Sequence, residues 1–188
     1  MSAIVTLRTI FTEYASLARA ESTVIIFGTL QESITVAVSI RSAQASDVPV
    51  IAEFNDRLAM ETEDKRLNEN VVTAGVTALL ENPDRGRFFI AETNGEAVGQ
   101  LLITTEWSEW RNGVFWWIQS VYVRPEFRRS GIFSALYDTV AALAREDPLV
   151  CGLRLYVEEN NSRARTTYET LGMSRTGYEI MEVEFGQD

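Results

Sequence analysis

Apolar positions along the chain switch between two periods, and the switches set out an alternating order of strands and helices. Ile34, Val36, Val38 and Ile40 fall on every second position, the pattern of a strand with one buried face. Ser46 and Asp47 then precede Val48, Ile51 and Phe54, with Pro49 in the first turn, which predicts a capped amphipathic helix. Residues 61–65 read as a charged connection, and Val72, Val76, Leu79 and Leu80 mark a second helix that stops at Asn82-Pro83. Residues 88–92 and 97–105 flank Asn94-Gly95, a pair that tolerates positive φ, so two antiparallel strands joined by a tight turn are expected. After a loop over 107–112, a long strand runs over 114–123. A helix over 131–145 follows, with Ile132, Ala135, Leu136, Val140 and Leu143 as its buried stripe, and Asp147-Pro148 closes it. Leu153, Leu155 and Val157 make another strand. Asn161 or Ser162 caps a short helix carrying Ala164, Tyr168 and Leu171, which Gly172 stops, and residues 178–185 are expected as a closing strand. The sum is an α/β chain of the α+β kind, with a central mixed sheet and helices packed against it.

Composition narrows the chemistry. The 188 residues suit one domain of ordinary size, residues 37–188, preceded by an extension over 1–36 that is expected to be loosely packed or disordered. No histidine is present, so an imidazole base, a Ser-His-Asp triad and a histidine-ligated metal are all excluded. Cys151 is the single cysteine, which rules out an intrachain disulfide and a thiolate metal cluster; it is expected to be a small buried residue. The net charge of −10 argues against nucleic acid as a partner, because that binding needs a basic face. No apolar run reaches membrane-spanning length, and the first residues lack the basic start and long apolar core of a secretory signal, so a cytoplasmic location is expected.

One junction holds the main local basic cluster. The strand ending Val121-Tyr122-Val123 runs through Arg124-Pro125 to Arg128, Arg129, Ser130 and Gly131, and a helix starts at once with Ile132, Phe133 and Ser134. The first amides of a helix point outward unpaired and the helix dipole adds partial positive charge, so a glycine turn at that place is suited to an anion such as a phosphate. The P-loop pattern ending in Lys and Ser or Thr is absent, which disfavours a nucleotide-phosphate enzyme.

The residues resemble the GNAT superfamily of N-acetyltransferases, which use acetyl-coenzyme A. Arg128, Gly131 and Phe133 stand on the family's signature of Gln or Arg, two residues, Gly, one residue, Gly or Ala; the strand Val121-Tyr122-Val123-Arg124-Pro125 leads into it. Asn161, Ala164, Tyr168, Leu171, Gly172 and Met173 are similar to the family's Asn, Ala, Tyr, Leu, Gly, Phe pattern, and Arg41, Ala43 and Asp47 resemble its usual opening. Phe133 is the main departure, a bulky ring where Gly or Ala is usual, so either its side chain turns away from the phosphates or the cofactor sits slightly displaced; Met173 for Phe is a mild apolar swap.

The resemblance implies a mostly antiparallel sheet of six to seven strands flanked by about four helices, and acetyl-coenzyme A as co-substrate without a metal. It implies that Val121, Tyr122, Val123, the turn from Arg128 to Ser134, Asn161 and Ala164 hold the coenzyme, with Tyr168 as general acid toward the departing thiolate. A phenol stays protonated at neutral pH, and Tyr168 lies seven residues after Asn161, two helical turns on. No carboxylate stands beside Trp116, Trp117, Gln119 and Ser120 on the strand before the turn. Gln119 orienting a water, Glu61 with its neighbours Glu63 and Asp64, and Glu158 or Glu159 are the candidates for deprotonating the acceptor. Trp107, Trp110, Trp116 and Trp117 suggest an aromatic pocket for a small amine, or core packing for at least two of them. The expected activity is acetyl transfer to a primary amine of a small molecule by a monomer or homodimer. A protein amine acceptor and a non-catalytic acyl-coenzyme A-binding module are the alternatives.

Overall fold

The computed structural model describes residues 38–183 and 185. The expected extension over 1–36 and the strand start at Ile34 and Val36 lie outside the described residues. In chain order the elements are β1 (Val38–Ser42), α1 (Val48–Glu63), α2 (Glu69–Leu80), β2 (Arg87–Thr93), β3 (Glu96–Ser108), β4 (Gly113–Val123), α3 (Ile132–Glu146), β5 (Val150–Leu155) and α4 (Ser162–Thr170). The strands form one five-stranded sheet in the order β1-β2-β3-β4-β5, with β1 to β4 antiparallel and β5 parallel to β4. Helix α3 is the crossover that a parallel pair requires. No helix among the described residues is long and apolar enough to cross a membrane.

Each face of the sheet has its own cover. Phe89, Ala91, Leu101, Ile103, Trp116 and Ile118 point to one side, where Ile132, Leu136, Val140 and Ala144 of α3 complete the core. Phe88, Ile90 and Leu102 point to the other, under Ile51 of α1 and Val76 of α2. Adjacent strand residues alternate between these sets, as a pleated strand buried on both faces demands. The entry to α1 is tied down by charge. Asp47 accepts from Gln44 N at 2.7 Å and from Arg41 at 2.7 and 2.8 Å, while the same arginine reaches Glu92 at 2.6 Å. The Arg41 guanidinium, with the Gln44 amide, holds the Asp47 carboxyl below the usual range.

Four expectations are corrected. The sheet has five strands among the described residues, not six or seven, and no strand forms over 178–183 where the closing strand is expected. Tyr178, Ile180, Met181, Val183 and Phe185 are all exposed. Ile180 and Met181 are consecutive, so the apolar side chains of the segment divide between two faces, and a strand without a partner has no ladder to hold it. Glu61 and Glu63 belong to α1, which takes up the first three residues of the expected charged connection, and Asp64 ends it in the left-handed region at φ 51°. Cys151 is exposed, on edge strand β5. The loop expected over 107–112 is shorter, since β3 continues to Ser108.

Candidate active site

Strands β4 and β5 pair only from Val114↔Val150 to Ile118↔Leu155. Beyond Ile118, β4 runs on to Val123 while β5 stops at Leu155, so the two carboxyl ends diverge and leave residues 119–123 of β4 without a β5 partner. Helices α3 and α4 start from the two arms of this opening. The carboxyl ends of parallel strands, with helix N-termini beside them, are where α/β sheets place their ligands.

The α3 arm holds the expected turn. Arg129 at φ 67° and Gly131 at φ 86° turn the chain sharply before α3, and Gly131 is the helix cap, so the helix starts at Ile132, one residue after the expected start. Its conformation favours glycine, and a Cβ there would face open space, so the glycine serves the backbone conformation rather than a close contact. The first bond of α3 runs from Ala135 N to Gly131 O, which leaves the amides of Ile132, Phe133 and Ser134 as unpaired helix donors. Such donors are suited to an anion, and exposed Arg129 belongs to the same turn. Arg128 has a different task. Its Nε donates to Val123 O at 2.8 Å and its Nη2 to both carboxylate oxygens of Glu61 at 2.9 and 2.7 Å. It clamps the turn to the last strand residue and to the end of α1.

The α4 arm carries Asn161 and Tyr168. Asn161 caps α4, its Oδ1 accepting from Ala164 N at 3.0 Å. The cap engages the backbone of Ala164 and leaves Asn161 Nδ2 as the free end of the amide. Tyr168 meets Phe133 edge to face, 5.7 Å between ring centres, and Phe133 lies 6.2 Å from Tyr137. Phe133 therefore turns toward α4 and joins the two arms. Burial pushes the Tyr168 phenol above its ordinary value, so it carries its proton throughout the neutral range.

Between the arms, β4 presents its side chains to both faces. Val121 and Val123 pack on the α3 core, and Tyr122 is buried against Phe54 of α1, with ring centres 5.0 Å apart. Gln119 donates to Thr104 Oγ1 at 2.7 Å. Trp117 donates from Nε1 to Glu106 at 2.5 Å and stacks on Tyr156, and Arg154 reaches the same carboxylate at 2.8 and 3.0 Å. The indole first, and then the guanidinium, hold the Glu106 carboxyl below the usual range, which makes it a standing anion. Sequence reasoning missed Glu106, Arg154 and Tyr156, since only the pairing of three strands brings them to Trp117. Trp116 is buried in the core, whereas Trp107 and Trp110 are exposed.

The remaining base candidates stand apart from one another. Glu61 is paired with Arg128, Glu158 accepts from the Asn160 backbone and side chain at 2.9 Å, and Glu63, Asp64 and Glu159 are exposed. A cavity of about 500 Å³ between α1 and α2 is lined by Pro49, Glu53, Asp56, Arg66 and Val72 among others, and none of the expected site residues lines it.

Comparison with known proteins bears on the same residues. The acetyltransferase (GNAT) family matches residues 52–173, a span that runs from α1 through both arms of the opening. Over 83 residues the chain is 34% identical to thialysine N-epsilon-acetyltransferase of Caenorhabditis elegans, covering 44% of this chain and 51% of that protein. The chain thus matches about half the length of that curated relative. A solved "possible acetyltransferase" from Clostridium difficile 630 is 43% identical with a TM-score of 0.75, covering 80% of this chain and 99% of that one. A "predicted acetyltransferase with acetyl-CoA" from Clostridium acetobutylicum shares the fold at 21% identity and a TM-score of 0.65, covering 79% of this chain and 96% of that one.

Proposed function

Because the chain belongs to the acetyltransferase (GNAT) family, we propose that the opening between β4 and β5 binds acetyl-coenzyme A and passes its acetyl group to a primary amine of a small molecule, with Tyr168 as general acid. Acetyl-coenzyme A supplies an activated thioester; the chain's own residues bind, orient and move protons. The amides of Ile132, Phe133 and Ser134, with Arg129, Ser130 and Gly131, hold the pyrophosphate, and Arg128 keeps that turn in place. Backbone groups of Val121, Tyr122 and Val123 and the side-chain amide of Asn161 hold the pantetheine arm, with Ala164 beside it. The C. elegans relative is named for an ε-amine, which supports a small-molecule acceptor.

The observation that carries this reading is the placement of Tyr168. Tyr168, whose phenol burial pushes further above its ordinary value, sits against Phe133, the third signature position, and this contact supports a proton donor close to the glycine turn. Tyr168→Phe is expected to lower kcat about 100-fold while the coenzyme A Kd changes less than about threefold, the range for loss of a positioned acid. Measured by thiol release and calorimetry, an unchanged kcat overturns the role. Gln119, fixed by Thr104, orients a water through which the acceptor's proton is relayed to solvent. Glu61 serves the turn through Arg128 rather than acting as the base.

A second reading has one observation behind it. Glu61 and Glu106 are both committed to arginines, which is what a binding module without a base would show. Coenzyme A binding with no thiol release across a panel of small amines and peptides supports that module.

A further inference from the structure

The register of β3 against β4 slips at one point. Gly99 pairs with Val123 and Gln100 with Tyr122, but Leu102 pairs with Gln119, so Ser120 and Val121 together oppose the single residue Leu101. Ser120, the extra residue of this bulge, sits at φ 46°, a left-handed conformation that a serine adopts only when its surroundings impose it. The surroundings that impose it are visible. Gln100 is wholly buried, and its Nε2 donates to Ser120 O at 3.2 Å and to Asn55 Oδ1 of α1 at 2.7 Å. Its Oε1 is buried without a hydrogen-bond partner, so the side chain is held for its donor end alone.

We infer that Gln100, braced by Asn55, is a positioning residue for acetyl transfer: it holds the Ser120 carbonyl toward α1 and so aims the Val121 N–H at the thioester oxygen. The inference rests on the proposed acetyl-coenzyme A reading. In a trans peptide the C=O of one residue and the N–H of the next point in opposite directions. With the Ser120 carbonyl drawn toward β3 and α1, the Val121 amide is directed to the other side of β4. That side is the edge which β5 leaves without a partner after Ile118. A backbone donor fixed before the substrate arrives stabilises developing oxyanion charge without reorganising, and it strengthens binding of a carbonyl-bearing ligand over one lacking the carbonyl.

The test uses the full chain and separates the carbonyl from the rest of the ligand. Gln100→Met keeps volume and removes the donor. Calorimetric Kd values for acetyl-coenzyme A and for free coenzyme A are compared with wild type, together with kcat and the acceptor KM. The expected result is a roughly tenfold loss of the preference for acetyl-coenzyme A, coenzyme A affinity within about twofold, and kcat lowered about 100-fold at nearly constant KM. A folded Gln100→Met protein that weakens both ligands equally, or keeps its kcat, overturns the inference. Should Gln100→Met fail to melt cooperatively, Asn55→Ala decides in its place. It removes only the brace, and a loss of about threefold in the same preference is expected; no change in the preference overturns the inference. Wild-type protein that binds neither ligand overturns the acetyl-coenzyme A reading itself, and this inference with it.

Discussion

Helices α3 and α4 stand on either side of the same opening, yet they are built on opposite terms. Helix α3 buries Ile132, Leu136, Tyr137, Val140, Ala141 and Ala144; α4 has no fully buried residue and touches the core through half-buried neighbours such as Leu171 and Met173. One arm is therefore part of the scaffold, fixed by the apolar surface it removes from water. The other is held by a side-chain cap, one ring contact and an edge, so much of its order is left for a ligand to supply. On the proposed reading, a coenzyme bridging both arms meets a rigid turn at α3 and a less buried helix at α4.

Truncation of equivalent apolar contacts is the strongest way to break this contrast. Leu136→Ala is expected to cost about 3 kcal/mol and Leu171→Ala about 1 kcal/mol in chemical denaturation, because only the first opens a cavity in a closed core. Equal losses would remove the distinction. Next in size is the cap. Asn161→Ala is expected to cost about 1 kcal/mol of α4 stability, seen as faster amide hydrogen exchange in residues 162–170 while α3 is unchanged. Exchange that rises equally in α3 would show that the arms unfold together. The smallest effect sharpens the link between them. Phe133→Ala removes the ring that meets Tyr168 but keeps the backbone donors of the turn, so coenzyme A affinity is expected to fall only about threefold by calorimetry. Loss of all binding would place the ring in the phosphate site itself.

Local signals were legible in the chain. The Asn94-Gly95 turn and the Asn161 cap each follow from neighbours a few residues apart, and each is where its pattern puts it; the α3 stripe holds at Ile132, Leu136 and Val140, but Leu143 is exposed and Tyr137, Ala141 and Ala144 share the buried face. The glycine turn was legible for the same reason. What was not legible depends on register. Gln100 meets Ser120 only because β4 carries an extra residue, and Glu106 meets Trp117 and Arg154 only across three strands. The segment 178–185 failed in the reverse sense, since its composition suits a strand but strand formation belongs to a pair.

The Glu61–Arg128 pair changes how an anion approaches the molecule. With one of the two adjacent arginines already neutralised, the turn attracts through fixed amide dipoles and the single charge of Arg129, both short in range. The whole chain meanwhile carries a net charge of −10, which repels a polyanion at distance. Encounter and capture are thus opposed. Added salt screens the distant repulsion more than it weakens the close contacts, so this cleft would fill faster, not slower, as ionic strength rises toward that of a cell.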